Sequence, residues 1–287
     1  MSQFSQWLAG LPSGLRRRSE LRPLAFFLGL DDGADARAAY HQTLARNLRL
    51  LARLDEILDC AEARGLTLLP YKGAALAGSL YPDVGTRPMA DIDLLVVPGA
   101  LEAAIQLLQE LGFWVARPAI SRYSPRHTHD VAMTDGAVYV ELHFRLFHEL
   151  ELVDASQRIF DRSKPTRLYD RERRTPCPDD HLMILALHAA THAYADSPMW
   201  LVDIALLIDS ADRQVALSEA VRCCGGRAFS IAMQLFDHPA IAALWIESPP
   251  GRMRSLLTRA ALVEGPMRRT RWLGRKLTLT AQELLGL

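Results

Sequence analysis

Met89-Ala90-Asp91-Ile92-Asp93-Leu94-Leu95-Val96-Val97 reads as a short β-strand that opens on two carboxylates one residue apart. Successive side chains of a strand point to opposite faces, so Asp91 and Asp93 emerge side by side while Ile92 and Leu94 turn into a core. The Leu-Leu-Val-Val tail is strand-forming, and Pro98-Gly99 ends it. Two anionic groups this close repel unless a cation sits between them, and a divalent metal is the natural occupant. The same aspartates could equally cap a turn and face solvent, and nothing inside the stretch decides between the two readings.

The segment just upstream bears on that choice. Leu66 to Tyr71 is a short apolar run that feeds Lys72-Gly73-Ala74-Ala75-Leu76-Ala77-Gly78-Ser79-Leu80-Tyr81, a helix entered through a glycine turn and ended by Pro82. A strand that runs into a helix through glycine leaves backbone N–H groups aimed outward, a site suited to phosphate, and Lys72 adds positive charge beside it. Before this, Ala36 to Arg64 carries leucines at 44, 48, 51, 54 and 58, the spacing of an amphipathic helix, with Gly65 as its stop.

Downstream, Ala100 to Gly112 predicts a helix and Phe113 to Ala116 a strand edge, while Ile120 to Arg126 reads as a loop. His129 to Met133 and Ala137 to Phe144, joined at Thr134-Asp135-Gly136, predict a β-hairpin. In its second strand Tyr139, Glu141 and His143 share one face. A carboxylate in mid-strand among apolar neighbours is costly to desolvate without a partner, so Glu141 is a candidate third ligand facing Asp91 and Asp93. Arg162 to Asp180, charged and proline-containing, reads as a linker. From Asp180 the chain becomes helical over 182–194, 199–210, 215–224 and 228–236, with Asp179 or Asp180 as the first N-cap. The expected architecture is α+β: a mixed sheet with flanking helices over residues 1–160, then an all-helical region over 161–287.

Composition narrows the functional classes. The chain has 287 residues, 49% of them hydrophobic, and a formal net charge of zero, with a pI near 7.1 and a mean hydropathy of +0.02. No overall field draws it to nucleic acid or anionic lipid. The apolar run Leu24 to Leu30 is too short to span a membrane, and no signal peptide opens the chain. The four cysteines lack metal-knuckle spacing, which fits a reducing cytoplasm.

Three carboxylates on two neighbouring strands, beside a glycine turn, are the parts of a two-metal phosphoryl-transfer site, with magnesium as the expected ion and manganese as its substitute. In order, Lys72-Gly73, Leu80-Tyr81, Arg87, Asp91 to Val96 and Val140 to His143 resemble the polymerase-β-type nucleotidyltransferase superfamily. More narrowly, they resemble a bacterial family of uncharacterised nucleotidyltransferases. The resemblance covers about residues 40 to 210. It implies that Asp91, Asp93 and Glu141 bind metal, that Gly73 and Ala74 form the nucleotide-binding turn, and that Lys72 and Arg87 touch phosphates. One departure stands out: Ala74 occupies the place of the superfamily's serine. Gly78-Ser79 is an alternative match, but it falls inside the expected helix.

Four further residues are candidates for the acceptor side or for support of the carboxylates. His188 and His192 lie four apart on one helix, Asp203 lies on the next, and His143 shares a face with Glu141. The two helix histidines read equally as packing residues. His127 and His129 have no assigned role. The late basic cluster of Arg252, Arg254, Arg259, Arg268, Arg269, Arg271, Arg275 and Lys276 reads as a solvated helix face or, less economically, as a surface for nucleic acid.

The expected activity is magnesium-dependent transfer of a nucleoside monophosphate from an NTP to a hydroxyl or phosphate acceptor, with release of pyrophosphate. The acceptor is left open among a small molecule, a peptide and an RNA. Transfer of a glycosyl or other group from an activated nucleotide is the nearest alternative. A non-catalytic nucleotide-binding protein on this fold is a more distant one. A toxin acting on tRNA or protein is a third, and the neutral pI lends it no support.

Overall fold

The computed structural model describes residues 3–12, 15, 18–97, 99–116, 129–147, 152–195, 197–247, 252–270 and 272–273. The loop expected over Ile120 to Arg126 lies outside the described residues, as do Arg16, Arg17, Pro98, His127, Arg271, Arg275 and Lys276.

Helices α1 (Gln3–Gly10) and α2 (Arg22–Phe27) precede the long helix α3 (Ala34–Ala63). One stripe of α3 is buried through Leu50, Leu51, Leu54, Ile57, Leu58 and Ala61, which join the core under the sheet. Gly65, at φ 66°, takes the left-handed turn that ends α3, and the Leu66 N–H closes back on the Ala61 carbonyl at 2.9 Å. Strand β1 (Leu68–Pro70) and helix α4 (Lys72–Ser79) follow, then β2 (Ile92–Val96), α5 (Leu101–Glu110), β3 (Trp114–Val115), β4 (Asp130–Thr134) and β5 (Tyr139–His143). The sheet order is β1-β2-β5-β4-β3, antiparallel throughout except for the parallel pair β2 and β5. Ile92, Leu94, Val140 and Leu142 are fully buried and hold the inner face of that pair.

After α6 (Ser156–Arg162), the segment read as a linker is a β-hairpin, β6 (Lys164–Leu168) with β7 (Arg171–Thr175). Its charges misled the reading because their partners lie far back in the chain. Arg173 pairs with Asp55, Asp59 and Glu62 on α3, and Arg171 pairs with Asp59. Tyr169 at its turn donates its N–H to the Gly78 carbonyl at 3.0 Å, which ties the hairpin to α4.

The rest is helical: α7 (Pro178–Thr191), α8 (Met199–Leu207), α9 (Arg213–Arg222), α10 (Gly226–Asp237), α11 (Pro239–Glu247) and α12 (Arg252–Leu262). Cys177, not Asp179 or Asp180, is the N-cap of α7, because Pro178 occupies the first helical position and moves both aspartates into the first turn. Leu182, Ile184, Ala186 and Leu187 are all fully buried, as expected of a helix apolar on every side. Leu8, Leu11, Leu15, Leu21 and Leu24 from the N-terminal segment join this helical core rather than the core under the sheet. No helix among the described residues is long and apolar enough to cross a membrane.

Candidate active site

The register of β2 and β5 sets Asp93 directly against Glu141. Because the alternate positions are locked in the core, both carboxylates project from the opposite face. Asp91 sits in the bend just before β2, one residue outside the strand expected to carry it. The main chain adds a tie here, the Tyr71 N–H donating to the Asp93 carbonyl at 3.2 Å.

Asp93 is 7% exposed and is held by two neighbours, a lysine and a histidine. Lys72 donates from Nζ to Asp93 Oδ1 at 2.9 Å, and His143 Nε2 lies 2.9 Å from the same oxygen. His143 Nε2 is also 3.3 Å from Glu141 Oε2, so this nitrogen carries the proton and serves both carboxylates. Burial works to raise the Asp93 pKa, but Lys72 and His143 outweigh it and hold the group well below the usual carboxylate range. The bond from His143 lowers the Glu141 pKa against a desolvation effect of opposite sign. Asp91 is the contrast: burial, then the charges of Asp93 and Glu141, push its pKa up to about 6. Burial and Lys72 act to lower the His143 pKa, but its two carboxylate bonds prevail and raise it.

This donor set fits a hard divalent cation. Asp93, Glu141 and His143 each offer a ligand atom within 4.8 Å of the others. His143, however, is 1% exposed and sits behind the carboxylates rather than in the cavity wall. The groups that reach the cavity are carboxylates, the oxygen chemistry that magnesium and manganese take.

The glycine turn is built around Arg87. A Cβ on Gly73 would lie 2.9 Å from Arg87 Nη1 and 3.5 Å from Met89 Cγ, so this close approach requires glycine. Lys72, immediately before it, holds a left-handed φ of 47°. Arg87 in turn forms a bidentate pair with Asp203, Nε to Oδ1 and Nη2 to Oδ2 at 2.8 Å each, and the Tyr81 hydroxyl donates to Asp203 Oδ1 at 2.6 Å. Gly78-Ser79 is no substitute for this turn. Gly78 packs against the Tyr169 ring, and the Ser79 hydroxyl bonds the Ala75 carbonyl within the helix.

A cavity of about 460 Å³ joins these groups to the helical half. Its sheet-side wall holds Lys72, Gly73, Arg87, Asp91, Asp93 and Glu141, and its helical wall includes His188, His192, Trp200 and Asp203. The His188 and His192 rings are 4.8 Å apart and edge-on. Burial, then the Lys72 charge, lowers the His188 pKa well below the usual value, so its imidazole is neutral.

With this geometry described, comparison with known proteins becomes informative. The model of a family described as uncharacterised nucleotidyltransferase matches residues 34–238, from the start of α3 to the end of α10. The chain belongs to this family. It is therefore a transferase enzyme, and the carboxylate pair and glycine turn fall inside the matched span. Among solved structures, the antibiotic-resistance factor ANT(2'')-Ia in solution matches with a TM-score of 0.39 and 17% identity over 68% of this chain and 95% of that one. A crystal structure of ANT(2'')-Ia with adenylyl-2''-tobramycin matches with a TM-score of 0.37 and 16% identity over 66% and 98% of the two chains. No curated protein sequence matches.

Of the eleven candidate site residues (Lys72, Gly73, Ala74, Arg87, Asp91, Asp93, Glu141, His143, His188, His192 and Asp203), all but two line this cavity. Ala74 is 1% exposed and packs into the core, and His143 lies behind Asp93 and Glu141. Asp203, expected on the acceptor side, is committed to Arg87 and Tyr81. His129 stands 5.3 Å from the His143 ring, and its Nδ1 is 3.4 Å from Asp130. From the basic cluster, Arg259 and Arg269 donate to the Thr191 and Val263 carbonyls.

Sequence reasoning missed Tyr71 and Trp200 and gave Tyr81 no role. Tyr71 is fully buried, edge-on to His143 at 5.3 Å, with the Lys72 Nζ 5.0 Å from its ring centroid. Its place at the end of the first strand was a usable signal. Tyr81 stood in the Leu80-Tyr81 piece of the resemblance without a role, and nothing in the sequence pointed to Trp200.

Proposed function

We propose that this nucleotidyltransferase moves a nucleoside monophosphate from an NTP, ATP included, to a hydroxyl or phosphate acceptor, with release of pyrophosphate and dependence on magnesium or manganese. The observation that carries this reading is the direct pairing of Asp93 with Glu141 on parallel strands beside the Gly73 turn. Asp91, Asp93 and Glu141 would hold the metal, which supplies Lewis-acid polarisation of the phosphate and charge neutralisation on the departing pyrophosphate.

This chain's own groups do the rest. Lys72 provides a point charge next to the carboxylates, and Lys72 and Gly73 at the start of α4 line the same cavity, an arrangement that suits phosphate oxygens. His143 holds Asp93 and Glu141 in position from behind and supplies part of the positive charge they need. Arg87, gripped by Asp203, presents its remaining nitrogen toward the Gly73 turn. The helical wall faces the carboxylates across the cavity and leaves space for the acceptor. A cytoplasmic location accords with the four free thiols and with the supply of NTP.

The test is transfer of label from each of four α-labelled NTPs with magnesium and cell extract as the acceptor source. Label should appear on an acceptor in the wild type and be lost in Asp93→Asn. Turnover that survives Asp93→Asn disproves the metal-site assignment.

A further inference from the structure

Building on the reading above, we propose that the helical wall of the cavity is the acceptor site. We further propose that it takes an uncharged, hydroxyl-bearing small molecule with an apolar ring face, such as a sugar or a phenol.

Trp200 is 8% exposed and lines the cavity. Its indole N–H is buried without a hydrogen-bond partner among the described residues. An orphaned buried donor is destabilising, so a ligand oxygen that accepts from it gains that interaction without displacing another. The ring itself offers a flat apolar surface of the kind on which sugar and aromatic rings pack. A second, independent observation lies in the turn after α7. Ala193 and Tyr194 are consecutive non-glycine residues in the left-handed region, at φ 53° and 59°. Such strain is costly and collects at ligand sites. The Tyr194 hydroxyl, bonded to the Ala228 carbonyl at 2.7 Å, holds this turn, which follows directly on His192.

Charge excludes the other acceptor classes. Asp203, the carboxylate of this wall, is closed off by Arg87 and Tyr81. Glu20 at the cavity rim accepts the Ser19 hydroxyl and pairs with Arg18 at 3.7 Å. Among the described residues, the wall therefore offers a polycation no uncommitted carboxylate and a polyanion no uncommitted cation. Transfer of such charges out of water would go uncompensated. Size points the same way, because about 460 Å³ is the scale of one drug-sized ligand and must also admit the nucleotide. In the transfer, the acceptor hydroxyl oxygen bonds to the α-phosphorus as the bond from phosphorus to the bridging oxygen breaks. Pyrophosphate leaves with that electron pair. The hydroxyl proton leaves to water at the side of the cavity where His192 is exposed.

The experiment uses the full chain with magnesium, α-labelled NTP and three probes at equal concentration: phenyl glucoside, the polycation kanamycin and a short RNA. Label should go to phenyl glucoside. Trp200→Phe, which keeps the ring and removes the N–H, should raise the KM for phenyl glucoside about tenfold with kcat nearly unchanged. Preferential labelling of kanamycin or RNA overturns the proposal. So does phenyl glucoside that is neither labelled nor bound at millimolar concentration by protein that binds magnesium and NTP. Protein that binds no NTP at all fails the underlying activity first, and the acceptor assignment falls with it.

Discussion

Arg87 and Asp203 lie 116 residues apart and meet as a two-pronged ion pair at 2.8 Å in the wall of the cavity. The pair joins the loop that leads to the carboxylate strand with the second helix of the helical half. Its partners are 12% and 2% exposed at their side chains, so water screens it little. Family membership identifies a transferase, but this pair explains how two differently built halves present a single cavity.

Removal of one partner strands the other. Asp203→Ala should destabilise the protein by about 3–5 kcal/mol, because it leaves a buried guanidinium without its counter-charge. Arg87→Met combined with Asp203→Leu should recover much of that loss. Urea unfolding of the wild type, the single variant and the double variant checks both expectations. A double variant no more stable than Asp203→Ala refutes them.

The carboxylates should separate folding from activity. Asp93→Asn and Glu141→Gln retain shape and should leave secondary structure intact while turnover falls about 10²–10³-fold, the scale of a few kcal/mol of transition-state stabilisation. Calorimetric titration should show magnesium affinity falling in parallel. An Asp93→Asn enzyme with unchanged magnesium affinity contradicts the assignment.

Much of this site was legible because strands alternate. The period of two put Asp93 and Glu141 on the face away from Ile92, Leu94, Val140 and Leu142, and the register of β2 with β5 then brought them opposite each other. Three features were not legible, and for a common reason. The hairpin over 164–175 owes its place to Arg173 and its acidic partners on α3, more than 100 residues earlier. The pairing of Arg87 with Asp203 could not be read because the two are 116 residues apart. Trp200 belongs to a helix that is apolar at every position but Asp203, so nothing distinguished it from its core neighbours. Local pattern records period and turn chemistry; it carries no trace of a partner supplied by a remote element.

Acid should unfold the protein through buried histidines. His181 is 5% exposed, and burial lowers its pKa to about 4. The unfolded chain takes up this proton near the ordinary histidine value of about 6.5, and the native state does not until about pH 4. Its stabilising contribution is therefore complete above about 6.5 and is lost as pH falls toward 4. The shift corresponds to about 3 kcal/mol. His188 is shifted in the same direction. His181→Leu should flatten the dependence of unfolding free energy on pH across that window, and an unchanged slope rules out His181 as its source.

Magnesium affinity should depend on pH through Asp91. With its pKa near 6 in the metal-free protein, Asp91 binds a proton where the metal must bind a carboxylate. Affinity should rise by up to about tenfold per unit as pH increases toward 6, then level off. In Asp91→Asn affinity should be weaker at neutral pH and nearly independent of pH in that range. Titration calorimetry at a series of pH values distinguishes this from a dependence set elsewhere.

Gly73→Ala tests the turn itself. The added Cβ would stand 2.9 Å from Arg87 Nη1, and although arginine is normally flexible, Asp203 fixes this one from the far side. Relief has to come from the pair or from the start of α4. Overpacking of this kind costs about 1–3 kcal/mol. If that strain falls on the turn, the KM for NTP should rise about tenfold or more, with magnesium affinity unchanged, since Asp91, Asp93 and Glu141 lie on other elements. Combination of Gly73→Ala with Asp203→Asn should loosen Arg87 and recover part of the NTP affinity. An additive loss in the double variant shows that Gly73 acts on nucleotide by some route other than Arg87.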